Sequence, residues 1–147
     1  MFRLRAAVPV AFVVASAALM IATPAGAARA SKQDASYLRS AAATNLAEIQ
    51  MAKIALQRSH SSSVQQVAAM ITSDHRAAET QLAHVAALRS FTLPSKPNPQ
   101  QLGQLGQLQS VSATSFDVTY LQMQISDHHS AIALTQTEIS TGNDPAV

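Results

Sequence analysis

The stretch SSVQQVAAMITSDHRAAETQLAHVAALRS, residues 62–90, decides the fold. Its inward positions recur at alternating intervals of four and three residues, which is typical of the seam of a helical bundle. These positions are Val64, Ala68, Ile71, His75, Ala78, Leu82 and Val85. Ser62 and Gln65 have the spacing of a capping box, so we expect the helix to begin at Ser62 and to end near Ser90.

Two further long helices are predicted, one on each side of this stretch. The first spans residues 35–59, with Asp34 as its N-cap, and the last spans residues 113–140. Each has an apolar stripe at helical spacing. The stripes consist of Leu38, Ala42, Ile49, Ala52 and Leu56 in the first helix and of Phe116, Tyr120, Met123, Ala131 and Leu134 in the last. The sequence therefore predicts an all-α fold, an up-and-down bundle with three long helices.

A low-complexity segment connects the second long helix to the last. Three prolines between residues 92 and 99 exclude a helix interior there. Asn98 and Pro99 have the form of an N-cap followed by a first-turn proline, which predicts a short connecting helix. Its leucines lie on one side, and they are Leu102, Leu105 and Leu108.

The end of the chain resembles the start of another helix. Gly142 supplies a helix stop. Asn143, Asp144 and Pro145 then repeat the pattern of an N-cap with a proline near the first turn. Two interpretations stay open, a frayed terminus and a fourth helix that is truncated. In the second case one apolar seam is left uncovered, which predicts self-association or the docking of a partner.

Composition and charge exclude several classes of protein. The 147 residues fit one domain, and the absence of cysteine excludes disulfides and thiolate metal sites. Hydrophobic residues make up 48% of the chain, which is not the composition of a disordered tail. Without Arg3 and Arg5, the count of basic residues falls from 10 to 8 and equals the 8 acidic residues. No basic patch is left, so we do not expect nucleic-acid binding.

Residues 1–30 have the pattern of a signal peptide. A short positive start is followed by an uncharged apolar run over residues 6–21, by Pro24, and by the triplets AGA and ARA at residues 25–30. Signal peptidase needs such small residues, so we expect a mature protein, residues 31–147, that starts near Ala28 or Ser31 and is periplasmic or secreted. An uncleaved membrane anchor is the alternative. After cleavage we expect no stable membrane insertion.

Three polar residues lie within the apolar faces of the long helices. Glu48 lies 13 residues before Ser61 in the turn, and His75 lies 14 residues after it, so both are about 20 Å from that turn. His128 lies in the middle of the last helix and therefore at middle height in either direction. The sequence predicts that Glu48, His75 and His128 meet in one layer.

Such a cluster has two interpretations. It is either a closed hydrogen-bond network that fixes the register of the helices, or a site for a transition-metal ion. The pattern M-x-x-S-D-H-x-x-A occurs at residues 70–78 and again at 123–131, which favours two equivalent contributions to one site. Other interior polar residues are predicted to be Asp74, Asp117, Tyr120 and Asp127. Surface histidines are predicted to be His60, His84 and His129.

These residues also resemble a known family. The carriers of the resemblance are residues 48–55, residues 67–71 leading to Asp74 and His75, then Phe116, Asp117, Tyr120 and Leu121, and finally Asp127 and His128. Over residues 34–145 the chain is similar to the bacterial domain-of-unknown-function family 4142. The resemblance implies an exported, ferritin-like bundle, and members of that family continue after the Gly-x-Asp-Pro turn into a further helix with an inward histidine. A Glu-x-x-His pair, which di-iron ferritins use, does not occur here.

The function is therefore left with three interpretations. The first is an exported ferritin-like bundle of uncharacterised biochemical role with a His/Glu cluster. The second is an envelope protein that binds iron, zinc or copper, and the third is an interaction module that docks a partner or a second copy along its exposed seam. We do not expect an enzyme, because the sequence has no nucleophile–base motif, no Gly-rich phosphate loop and no carboxylate pair at catalytic spacing.

Overall fold

A computed structural model describes residues 30–147. In this part of the chain there are four α-helices, which are α1 (Lys32–Arg58), α2 (Ser62–Leu88), α3 (Pro99–Ser110) and α4 (Ala113–Thr141). The predicted all-α bundle with three long helices and a short connecting helix is thus confirmed. The predicted signal peptide lies outside the described residues, apart from Ala30. None of the four helices has the length and apolar character needed to cross a membrane.

Helix α1 is the central element and packs against the other three. Its buried face is rich in alanine, which lets the neighbouring backbones approach closely. The core between the helices consists of Ala47, Met51, Ala52, Ala55, Val64, Ala68, Ile71, Leu105, Leu108, Phe116 and Tyr120. Helices α2 and α4 flank α1, and their backbones approach α1 more closely than they approach each other, so a groove runs between α2 and α4. Residues of α1 line part of this groove.

The structure corrects the predicted start of α1 and the residue that caps α2, whereas the predicted start of α2 at Ser62 is confirmed. Helix α1 begins after Ser31, whose hydroxyl accepts a hydrogen bond from the backbone N–H of Asp34, while the Asp34 carboxylate accepts one from the N–H of Ser31. Asp34 therefore completes a capping box three residues inside the helix and is not the N-cap. Ser61, not Ser62, caps α2, because the Ser59 hydroxyl accepts from the N–H of Ser61 and holds the turn in that position.

Helix α2 ends two residues earlier than predicted, at Leu88. Ser90 adopts a left-handed backbone conformation with φ 51°. The N–H of Phe91 donates to the carbonyl of Ala86, and the N–H of Ser90 donates to that of Ala87, so two of the last free carbonyls of the helix are paired. The predicted start of α3 is confirmed, since the Asn98 side chain accepts from the N–H of Gln101 in a capping box.

Residues 143–147 form a turn after α4. Gly142 ends α4 as predicted, and a Cβ at this position would lie 2.6 Å from the carbonyl oxygen of Glu138, which explains the glycine. The N–H of Asn143 donates to the Asp34 carboxylate at 2.8 Å. Asp144 forms an ion pair with Arg89. These contacts hold residues 143–147 as a turn against the starts and ends of the long helices.

Two leucines predicted to face the core are exposed. Leu56 near the end of α1 is 41% exposed, and Leu102 in the first turn of α3 is 45% exposed. At the end of α1 the buried face passes through Ala52 and Ala55, so Leu56 lies to one side of it. Leu105 and Leu108 are buried as predicted.

Candidate functional site

The middle of the bundle contains buried polar groups that have no hydrogen-bond partner within the described residues. Glu48 on α1 is only 1% exposed. Both of its carboxylate oxygens lack a partner, as do the Tyr120 hydroxyl and the side-chain amide of Gln124, which come from α4. An unpaired buried polar group destabilises a protein by about 1–3 kcal/mol. A cluster of such groups in the interface of α1 and α4 indicates a place where a proton, water or another ligand is accommodated.

This environment shifts the pKa of Glu48 strongly. Burial raises the pKa of the Glu48 carboxyl from 4.5 to about 7, with a further contribution from the nearby Asp127 carboxylate, while Gln124 acts in the opposite direction. Burial, followed by the charge of Glu48, also raises the pKa of Tyr120 well above its usual value. Glu48 therefore exchanges a proton near neutral pH, and its buried side chain is neutral in weakly acidic solution.

A polar cavity of about 180 Å³ lies beside Glu48, between α1, α3 and α4. Its wall is stabilised by two amide side chains of α3. Gln104 donates to the Asp127 carboxylate at 3.2 Å, and Gln101 donates to the Thr44 hydroxyl at 3.0 Å. The short connecting helix thus covers the carboxylate end of the site.

A pair of histidines bridges the groove between α2 and α4. The rings of His75 and His128 meet edge to face, with their centroids 5.7 Å apart. His75 Nδ1 lies 2.8 Å from the side-chain oxygen of Asn45, whose amide nitrogen in turn donates to the Glu79 carboxylate at 3.4 Å. Because the nitrogen of Asn45 donates to Glu79, its oxygen is the atom that accepts from His75.

His128 is oriented in the same way. Its Nδ1 lies 2.9 Å from the backbone carbonyl oxygen of Gln124, which can only accept a hydrogen bond. In the neutral form of both histidines Nδ1 therefore carries the proton and Nε2 carries the lone pair. Burial, followed by the proximity of His128, lowers the pKa of His75, so the neutral form of that ring is favoured.

The three residues predicted to form one layer separate into two groups. His75 and His128 meet, whereas Glu48 is buried toward Tyr120 and Gln124. Within residues 30–147 no three side chains of the types His, Cys, Asp or Glu are gathered closely enough to hold a metal ion. The predicted three-ligand set is therefore not assembled within a single chain. The reason is the rotation of α4, which turns Gln124 rather than His128 toward the core.

The other predicted interior polar residues differ in burial. Tyr120 is fully buried, and Asp117 and Asp127 are half-buried. Asp74 was predicted to be interior, and this is wrong, because it lies on the exposed side of α2 next to His75. His128 is also more exposed than predicted, since it lies at the edge of the groove. The histidines expected at the surface, His60, His84 and His129, are exposed.

Sequence reasoning missed Asn45 as a member of the site. Asn45 is buried, and it lies three residues before Glu48 on the same face of α1. A polar residue inside an alanine-rich helical face was the available signal, because such a residue needs a partner.

The fold and the site define the class of this protein, an all-α helical bundle with a polar cluster in its core. A family model matches residues 19–147 and carries the description "Domain of unknown function (DUF4142)". The chain belongs to this family, as the resemblance implied. No curated protein and no solved structure matches the chain. The likeness to ferritins stays a prediction.

Proposed function

We propose that this protein is an exported bundle that binds a transition-metal ion, such as Zn²⁺ or Cu²⁺, through the Nε2 atoms of His75 and His128. The proposal rests on one observation above all, the fixed orientation of both rings by carbonyl oxygens. Histidines that bind metals usually donate their other ring N–H to such an acceptor, which fixes the tautomer and the direction of the lone pair. Neutral imidazole is a preferred ligand of zinc and copper.

The type of ligand also indicates how such an ion is held. Two imidazoles occupy half of a tetrahedral coordination sphere, and the remaining positions go to water or to ligands from another molecule. Iron was the other metal that the sequence left open. It is disfavoured here, because non-haem iron sites combine two histidines with a carboxylate, and Glu48 does not join the two histidines in one group. We therefore expect exchangeable binding, of the kind suited to carrying or buffering a metal ion.

Replacing either histidine is expected to abolish most of this binding. We expect His75→Gln and His128→Gln each to weaken Zn²⁺ binding by at least about 10-fold, because a single imidazole does not hold the ion. Asn45→Ala, which removes the amide that orients His75 and donates to Glu79, should weaken binding by about 10-fold or more. Isothermal titration calorimetry of protein pretreated with EDTA measures the affinities.

His84→Gln is the matched control, since His84 is an exposed histidine on the same helix. Its affinity should equal that of the wild type. Equal affinities for the wild type and all four variants would contradict the proposal and would favour a hydrogen-bond network that only sets helix register. The ring tautomers provide an independent measurement, because nitrogen NMR of the metal-free protein should show Nδ1–H for both His75 and His128.

Export is the second part of the proposal, and it is supported by the sequence of residues 1–30 alone. We expect protein isolated from the cell envelope to begin at Ala28 or Ser31. Intact-mass spectrometry of that fraction measures the N-terminus directly. A full-length mass from a membrane pellet would contradict cleavage and would support the uncleaved anchor.

A further inference from the structure

The cavity beside Glu48 is lined largely by oxygen-bearing side chains. It has a volume of about 180 Å³ and lies between α1, α3 and α4, and we call it the α3 cavity. Besides Glu48 its wall contains a second carboxylate, Asp127, and neutral hydroxyl and amide groups such as Thr44, Gln101 and Gln104. In the described part of the chain no lysine, arginine or histidine lines it. The polar groups of its wall are therefore anionic or neutral.

The two carboxylates of the α3 cavity influence each other. Burial raises the pKa of Glu48, and the charge of Asp127 adds to this shift. Glu48 is 1% exposed, it lines the cavity, and neither of its oxygens has a hydrogen-bond partner within residues 30–147. Asp127 accepts one hydrogen bond through Oδ1, from Gln104 at 3.2 Å. A buried, unpaired carboxylate next to a second carboxylate needs a proton or a cation to balance its charge.

We propose that the α3 cavity binds Ca²⁺ through the carboxylates of Glu48 and Asp127, with neutral oxygens of the wall and water in the other coordination positions. Ca²⁺ takes about six to eight oxygen ligands in a flexible geometry, and these include carboxylates, side-chain carbonyls and water. Gln104 donates to Asp127 through its nitrogen, so its amide oxygen keeps its capacity as a ligand. Mg²⁺ demands a near-ideal octahedron, which this mixed wall does not provide.

The size and chemistry of the cavity favour a partly hydrated metal ion over an organic cation. A water molecule occupies about 30 Å³ in the liquid, so 180 Å³ accommodates an ion with several waters. Quaternary ammonium ligands are recognised by aromatic rings, and in the described part of the chain no ring lines the cavity. Sulfur and imidazole, which softer metal ions prefer, do not line it either.

This site differs from the histidine pair in its ligands and in its place. His75 and His128 meet at the groove between α2 and α4, whereas the α3 cavity lies between α1, α3 and α4. Asp127 precedes His128 in sequence, so the two side chains project about 100° apart around α4. The α3 cavity does not depend on the proposed binding of Zn²⁺ or Cu²⁺. Because it has only two charged ligands, we expect a dissociation constant for Ca²⁺ of about 10⁻⁴–10⁻³ M.

Thermal unfolding of protein purified in EGTA tests this site. At pH 8 we expect about 10 mM CaCl₂ to raise the Tm of the wild type by at least about 3 °C over NaCl of matched ionic strength, because Ca²⁺ stabilises the folded state that binds it. MgCl₂ should give less than about half of this shift. Circular dichroism measures each Tm, and every variant is compared with its own Ca²⁺-free sample.

Glu48→Gln and Asp127→Asn each remove one charged ligand while they preserve its shape, so both should lose the Ca²⁺ shift. Asp117→Asn is the matched control, because Asp117 is a half-buried acid on α4 that does not line the cavity. It should keep the full shift. His128→Gln should also keep it, and loss of the shift in that variant would place the ion at the histidine groove and overturn the assignment to the α3 cavity.

Terbium luminescence locates the ion by a second route. Tb³⁺ substitutes for Ca²⁺ at oxygen sites and emits when a nearby tyrosine is excited, and the chain contains two tyrosines and no tryptophan. Tyr120 is the tyrosine whose pKa responds to burial and then to the charge of Glu48, whereas Tyr37 lies about 16 Å from Glu48 along α1. We expect Tyr120→Phe to remove most of the emission, Tyr37→Phe to retain it, and excess Ca²⁺ to suppress it.

Three results would overturn the Ca²⁺ site. Equal Tm shifts in the wild type and Glu48→Gln would show that Ca²⁺ acts at the protein surface. No shift in the wild type would show that a proton or water alone satisfies Glu48. A shift with methylammonium chloride but not with CaCl₂ would show that the α3 cavity holds an organic cation instead of a metal ion.

Discussion

Glu48→Gln should raise the free energy of unfolding by about 3 kcal/mol at pH 8 relative to the wild type, and by almost nothing at pH 4. The carboxyl of Glu48 has a pKa of about 7 in the folded chain and 4.5 as its ordinary value. A shift of one pKa unit corresponds to about 1.4 kcal/mol. Above neutral pH the wild type therefore contains a charged, buried carboxylate, which lowers its stability. The neutral glutamine of the variant carries no such penalty.

The direction of the pH dependence follows from proton counting. Between pH 4.5 and 7 the unfolded chain has lost the Glu48 proton while the folded chain still holds it, so the folded state binds more protons. The contribution of Glu48 to stability is thus fully present below about pH 4.5 and is lost as the pH rises through about 7. At still higher pH the loss of stability caused by the charged Glu48 carboxylate no longer changes. Asp127 and Tyr120 are the titratable neighbours that influence Glu48, and they are unchanged in the variant.

Urea denaturation of both proteins between pH 4 and pH 8 measures this difference. Comparing the two curves cancels the contributions of other acids, such as Asp34, whose pKa is lowered to about 2 by hydrogen bonds from Asn143 and Ser31 that outweigh its desolvation. Asp74→Asn is the matched control, because Asp74 is exposed. Parallel curves for wild type and Glu48→Gln across this range would show that Glu48 does not titrate in the folded protein near neutral pH.

Arg58→Ala should lower the free energy of unfolding by about 2–4 kcal/mol. The Arg58 guanidinium, in the last turn of α1, donates to the carbonyls of Leu108, Gln109 and Val111 at 2.7, 2.9 and 2.5 Å. These carbonyls lie at the end of α3, where the helix leaves them without partners and concentrates negative partial charge. Hydrogen bonds from a charged group contribute about 1.5–3 kcal/mol each when buried, and less at this half-buried site.

Arg58 also lies over the ring of Phe116, with the guanidinium carbon 4.5 Å from the ring centroid. Phe116 is 1% exposed and stacks with Tyr120. One side chain therefore joins α1 to the α3–α4 connection and to the first turn of α4. Arg58→Lys should recover only part of the loss, because an ammonium group cannot reach several carbonyls in the fork geometry of a guanidinium.

Arg39→Ala provides the comparison for thermal unfolding followed by circular dichroism. Arg39 lies on the same helix and over an aromatic ring, Phe91, at 5.1 Å, but its hydrogen bond is to its own helix. It should change stability by less than about 1 kcal/mol. If the two variants unfold alike, Arg58 does not hold the connection to α1.

The helices could be predicted from the sequence because the signals are local. The heptad spacing around His75, the prolines before Asn98 and the stop at Gly142 each act within a few residues, and all three were confirmed. The errors at Asp34 and Ser62 have one cause. Each segment offers several capping side chains within three positions, and the geometry of the adjoining turn selects among them.

The candidate site could be predicted only in part. The sequence indicated which polar residues stand inside apolar faces, and His75 and His128 do meet. It did not indicate that Glu48 would face Gln124 and Tyr120 instead of the histidines. Gln124 and His128 differ by only about 40° around α4, so a small rotation of that helix decides which of them points into the core.

The sequence by itself determined the all-α fold and the approximate extent of the four helices, because hydrophobic period and capping are encoded within each segment, and the resemblance of its motifs indicated the family. Only the tertiary structure decided the rotation of α4, the contact of Arg58 with carbonyls about 50 residues away, and the groove left between α2 and α4. These features depend on how side chains of distant segments pack against the alanine face of α1. Such packing is set by the shape and volume of neighbouring groups, which periodicity does not specify.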